Sequence, residues 1–144
     1  MGLINVKIEL QNPIHGMLAA IEVNTMVDTS ARHLCVRRHI AIQLGLNAIQ
    51  QREVTTADGA RHLCDYVGPI QVTFRKRSCS VGALVLGDEV LLGTVPMEDL
   101  DLVISPSRQT VEVNPKAPNI PSSVAKSRLR RGLISLWGTQ PLAD

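Results

Sequence analysis

NTMVDTSA, residues 24–31, places an ionisable side chain where an aliphatic strand should end. Met26 and Val27 read as the close of a buried strand, and Thr29 and Ser30 as a tight turn. Asp28 stands between them. Asp, Thr and Ser all bond back to nearby backbone, so the triplet by itself is ordinary turn composition. What surrounds it decides whether the acid has a further task.

Working outward, residues 3–10 alternate apolar and polar, with Ile4, Val6, Ile8 and Leu10 on one side, the period of a half-buried strand. Asn12-Pro13 and His15-Gly16 mark a turn, Met17 to Val23 reads as a returning strand, and a short strand through Thr25-Met26-Val27 delivers Asp28. Val36 to Leu46 follows helical spacing and stops at Gly45. Glu53–Thr56, Asp58-Gly59 and Ala60–Val67 form the strongest hairpin signal, because Asp-Gly suits a turn needing positive φ. Two further strands are expected over Ile70–Arg75 and Ser78–Val85, and a short buried one over Val90–Leu92 ending at Gly93. Pro96 near the start of Val95–Leu100 suits a helical turn. Leu102–Ile104 and Thr110–Val113 close the body as a last hairpin.

The bulk numbers fit one modest domain. The chain has 144 residues, 44% of them hydrophobic but only 2% aromatic, so its core must be built from Val, Ile, Leu and Ala, a mixture that leans towards strands. No apolar run approaches the ~18 residues of a membrane span. The first residues lack a basic region followed by an apolar stretch, and Cys35, Cys64 and Cys79 are odd in number and far apart. A cytoplasmic location is the expectation.

The net charge of +2 divides unevenly: from Pro115 onward five basic residues face the single acid Asp144, leaving ten basic and twelve acidic side chains in residues 1–114. The body is therefore mildly acidic, and with almost no aromatics to stack on bases it has no nucleic-acid signature. Residues 1–114 are expected to form the domain. Residues 115–144 read as a Pro-rich linker and a basic tail, with Val124 to Gly138 as a candidate amphipathic helix.

A short repeat, Ala31-Arg32-His33-Leu34-Cys35 and Ala60-Arg61-His62-Leu63-Cys64, offers two His-x-Cys pairs as a rival site. Four such ligands can hold zinc, but the spacing of the pairs fits no common finger pattern. Buried cysteine is also often just a small apolar residue. No metal and no cofactor are expected.

In order, the chain presents an apolar strand, Asp-Thr-Ser-Ala, a short helix, an Asp-Gly hairpin, strands, and Val-Leu-Leu-Gly before a helical turn. Through "MVDTSA", "IAIQLGL", "VTTADG" and "VLLGTVPMEDLDLVISPSRQTVEV" it resembles the retropepsin-like aspartic proteases, particularly small bacterial members, over residues 3–114. The resemblance implies a mainly β, closed, barrel-like acid-protease domain with two short helices and a flap hairpin, functional as a homodimer. It implies an aspartic endopeptidase, a hydrolase acting on peptide or protein substrates. Peptide hydrolysis by this route needs two carboxylates, one to activate water and one, protonated, to polarise the carbonyl. Held about 3 Å apart, the two share one proton. One such triplet is present, so the partner acid must come from a second copy of the chain.

By motif, Asp28, Thr29 and Ser30 correspond to the catalytic triplet, with Thr29 locking the two loops across the axis. Ala31 matches the small residue that follows. Thr56, Ala57, Asp58, Gly59 and Ala60 match the flap that closes over substrate. Leu91-Leu92-Gly93 matches the segment packed behind the catalytic loop, where glycine allows close approach. With Tyr66 and Phe74 the body's two aromatics, aliphatic pockets are expected to prefer apolar residues. Ser30 departs from the family's usual glycine. Its side chain crowds the loop and can bond to the carboxylates, so the alternative expectation is a weak or inactive protease-like dimer that holds peptides without cutting them.

Overall fold

Fourteen residues in one strand, Arg61–Phe74, with the ring it helps to close, set the shape of the molecule. The structure is a computed structural model and describes residues 3–125. Its strands are β1 (Asn5–Gln11), β2 (Ile21–Val27), β3 (Leu34–Val36), β4 (Asn47–Thr55), β5 (Arg61–Phe74), β6 (Arg77–Val85), β7 (Leu91–Leu92), β8 (Leu102–Ser105) and β9 (Thr110–Val113). Two helices, α1 (Arg38–Gln43) and α2 (Thr94–Asp99), interrupt them. The order β1-β2-β7-β3-β6-β5-β4 is closed by an extra pairing of β1 with β5, so six strands form a ring and β4 hangs outside it on β5. The mainly β, barrel-like architecture with two short helices agrees with the expectation from sequence.

The alternation in β1 turns Ile8 and Leu10 inward, where they are almost fully buried with Leu34, Leu44, Ile70, Leu92 and Leu100. Apart from Phe74, Met97 and Cys79 the core is aliphatic, as the composition required. Each such side chain stabilises the fold by about 1.5–3 kcal/mol on burial. A second, smaller cluster of Cys35, Cys64 and Leu84, joined by Val54, Tyr66, Leu86 and Leu91, lies apart from this core beneath the β4–β5 hairpin.

Several boundaries differ from the sequence reading. The return strand begins at Ile21 rather than Met17 and runs unbroken to Val27, since Thr25 bonds through Oγ1 to the Val90 carbonyl and stays in the sheet. Met17 is fully exposed instead. Leu34–Val36 is a strand, paired with β6 and β7, and the helix starts only at Arg38. Gly68-Pro69 does not separate two strands: β5 passes through it with an irregularity between Val67 and Ile70.

After β9 the chain is tied back to the body. Buried Arg77 donates to the carbonyls of Leu100 and Asp101, at 3.2 and 2.9 Å, and to that of Ala117. The Asp101 carboxylate accepts from Asn114 Nδ2 at 3.0 Å and from the Ser122 amide and hydroxyl at 2.9 and 3.1 Å. The Ser122 amide first, then Asn114, with Arg77 adding to them, hold the Asp101 carboxyl below its ordinary range. The amphipathic helix expected from Val124 onward lies outside the described residues from 126. We expect Asp101→Ala to accelerate tryptic cleavage after Lys116 several-fold at neutral pH, measured by mass spectrometry of timed digests. An unchanged rate at that bond would show that these contacts do not hold the segment.

Candidate active site

Asp28 is carried to its place by backbone pairing on both sides. β2 runs parallel to β7, with Met26 beside Leu91 and Val27 beside Leu92. The pairing continues past the strand: the Asp28 amide donates to the Leu92 carbonyl at 3.1 Å. The chain then turns, the Ala31 amide donating to the Asp28 carbonyl at 3.1 Å. The first amides of α2 close the loop from behind, Thr94 to the Ala31 carbonyl at 3.0 Å and Val95 to that of Arg32 at 2.8 Å. Gly93 makes this approach possible. A Cβ there would lie 2.5 Å from the His33 carbonyl oxygen and 2.8 Å from that of Ala31.

Within this loop the residue Asp28 is half-buried and Thr29 and Ser30 are exposed. Asp28 Oδ1 accepts from the Ser30 hydroxyl at 2.5 Å and the Ser30 amide at 3.0 Å. One carboxylate oxygen is therefore held by its own loop.

Opposite the loop stands the β4–β5 hairpin. Its turn is stabilised by the Thr56 amide to the Ala60 carbonyl and the Gly59 amide to the Thr56 carbonyl, both 2.9 Å, with Gly59 at φ +85°. Asp58 accepts from the Thr56 hydroxyl at 2.5 Å and the Ala60 amide at 3.0 Å, which hold its carboxyl below the ordinary range. Between loop and hairpin runs a cleft of about 610 Å³. A larger recess of about 1030 Å³, lined by Glu98, Asp99, Asp101 and Ser122 among others, contains no member of the Asp28 loop. Of the residues singled out in the sequence, Asp28, Ser30, Ala31, Thr56 and Ala57 line the cleft. Thr29, Asp58, Gly59 and Ala60 do not; Asp58 is folded into its own turn.

No family model matches the chain, and no curated protein matches it. Solved structures do. They include the EIAV protease complexed with the inhibitor HBY-793, 15% identical, the match covering 69% of this chain and 88% of that one with a TM-score of 0.48. They also include a retropepsin-like aspartic protease from Rickettsia conorii, 17% identical, with coverages of 72% and 77% and a TM-score of 0.44.

The cleft also holds Arg32, Arg52, Glu53, Val54, Leu84 and Leu86, to which the sequence reading gave no role, together with His33 and Cys35, weighed there as metal ligands, and Leu91, placed there behind the loop. Arg52 stacks on the Tyr66 ring at 4.2 Å, and its Nη1 lies 3.3 Å from His33 Nε2. The His33 and Tyr66 rings meet edge to face at 5.6 Å. Burial first, then the charges of Arg52 and Arg32, lowers the His33 pKa, so neutral His33 accepts from Arg52. The parity of Arg52 with Val54 and Thr56 was the available signal, and it needed the strand to be extended back to Asn47. Cys35 meets Cys64 beneath the hairpin, and burial, with Cys64 and Asp28 adding to it, pushes the Cys35 thiol up to about 11. These are inert apolar fillers at neutral pH. Among the described residues, no group of three His, Cys, Asp or Glu side chains is placed to hold a metal ion.

Gly93→Ala should cost about 1–3 kcal/mol through overpacking against the loop backbone. The check is the urea midpoint at unchanged slope. Asp58 yields a pH test. Its carboxyl binds a proton less readily folded than unfolded, so its stabilisation of the turn is complete above about pH 4 and lost as pH falls through the lowered value. The Ala60 amide resonance should titrate below the ordinary aspartate range, and this titration should vanish in Asp58→Asn.

Proposed function

We propose that the chain is an aspartic endopeptidase whose catalytic dyad is made by Asp28 from each of two copies. The observation that carries this reading is an acid on a backbone-anchored strand-end loop, facing a hairpin across a cleft of about 610 Å³. Asp28 and Glu53 are the acids that line the cleft. Glu53 is exposed and lies 3.9 Å from Arg61, its ion-pair partner, so in this reading it is not the second catalytic carboxylate. A second copy supplies the missing group across a two-fold axis.

In that dimer one Asp28 carboxylate takes a proton from water as the water attacks the peptide carbonyl. The other, protonated, donates to the carbonyl oxygen, and the proton then passes to the leaving amine. The hairpin excludes bulk water and presents backbone groups to the substrate strand. The apolar floor of Cys35, Leu84, Leu86 and Leu91 receives side chains.

Ser30 favours a second reading. Its hydroxyl occupies Asp28 Oδ1 at 2.5 Å, where the partner's loop or the attacking water would compete for the same oxygen. In this reading the dimer binds peptides without cleaving them.

The two readings separate in one experiment. Purified protein should sediment with a mass of two 15.7 kDa chains and cleave apolar peptides with a bell-shaped pH dependence. Asp28→Asn should lower kcat by ~10²–10⁴-fold or more. Binding without cleavage by the parent, with activity appearing in Ser30→Gly, would establish the second reading. A monomer, or cleavage undiminished in Asp28→Asn, would remove the first.

A further inference from the structure

Among the described residues, no carboxylate pairs with the Arg52 guanidinium that lines the cleft. Along residues 51–56 Arg52, Val54 and Thr56 are partly buried while Gln51, Glu53 and Thr55 are exposed, so Arg52 lies on the inward side of a segment that lines the cleft from Arg52 to Thr56. The guanidinium is held on three sides by neutral groups. Its plane lies on Tyr66, and Nη1 donates to His33. With the Gln50 amide oriented to satisfy both of its ends, the Gln50 oxygen accepts from Nε and Nη2 at 3.0 and 3.1 Å. Tyr66 is itself fixed, because its ring fills the space over Gly82 that a side chain would take.

Two acids on the same hairpin are committed elsewhere. Asp65 accepts from Gln51 at 3.2 Å and lies 3.9 Å from Arg38, and Glu53 pairs with Arg61. Among the described residues Arg52 forms no ion pair. A guanidinium has five N–H groups, and the contacts above use three. A half-buried, oriented cation with donors to spare is a ready partner for a planar carboxylate, and such charge-assisted bonds are the stronger class. Arg32, exposed on the same cleft, adds a second positive charge, beside the acids Asp28 and Glu53.

We propose that Arg52 is a specificity-determining residue that pairs with a carboxylate of the bound peptide, so that the cleft selects an acidic residue among otherwise apolar ones. This rests on the reading of the cleft as a peptide site. It also changes the expectation of purely apolar preference, because an apolar floor and a fixed guanidinium together select a mixed sequence. The carboxylate belongs either to an Asp or Glu side chain or to the C-terminus of the peptide.

The test uses the full chain and short apolar peptides in which a single Glu or Gln is moved through each position, every peptide made with a free and an amidated C-terminus. Cleavage is followed with the parent protein and binding, by fluorescence anisotropy, with Asp28→Asn. The expected result is a ~10- to 100-fold preference for Glu over Gln at one position, in binding and in kcat/KM. A preference that follows the free terminus assigns the carboxylate to the peptide end. The ratio should collapse towards one in Arg52→Met and favour Lys over Glu in Arg52→Glu. Equal affinity for the Glu and Gln series whichever terminus they carry, or a preference untouched by both Arg52 variants, would overturn the proposal. A Glu preference in binding without any cleavage leaves it standing and removes the endopeptidase reading. Cleavage indifferent to acidic residues and to the peptide terminus does the reverse.

Discussion

The parallel pairing of β2 with β7, carried one residue beyond the end of β2, is the constraint on which the cleft depends. An acid at a free strand end would sit in solvent with its backbone unpaired. Here the Asp28 amide is satisfied by Leu92, and the carbonyls of Ala31 and Arg32 by the opening amides of α2. The loop is thereby as well bonded as a strand while its side chains remain available. That arrangement tolerates no Cβ at Gly93, so one missing methyl group sets how close the loop and its support can lie.

Ring closure has a second consequence. β5 is long enough to do two jobs: its later half pairs with β1 and β6 inside the ring, and its first residues pair with β4 alone, beyond the ring. The overhang is the hairpin that faces Asp28. Its underside is covered by a small apolar cluster separate from the main core, and that cluster is what gives the cleft a floor.

Charge in the cleft is arranged with the same economy. Arg52 is held by an aromatic face, a neutral imidazole and an amide, which orient it without cancelling it. Arg77 behaves in the opposite way: it is buried, paired with Asp101 and bonded to three carbonyls, and it serves the fold. Arginines of equal formal charge thus take a recognition role or a structural one according to whether a carboxylate of the chain reaches them.

Alternation in β1, the Asp-Gly turn of the hairpin, the close of the body at β8 and β9, and an acid leaving the core beside a glycine-ended strand were all legible in the amino-acid sequence. Each is written in residues a few positions apart, where backbone preference and side-chain period act locally. The unbroken run of β2, the three-residue β3, the continuity of β5 through Gly68-Pro69 and the presence of Arg52 and His33 in the cleft were decided by tertiary structure. Thr25 stays in its strand because Val90, sixty-five residues away, accepts its hydroxyl. Three residues cannot display a period, and which face a strand residue takes depends on register with partners that no local pattern names.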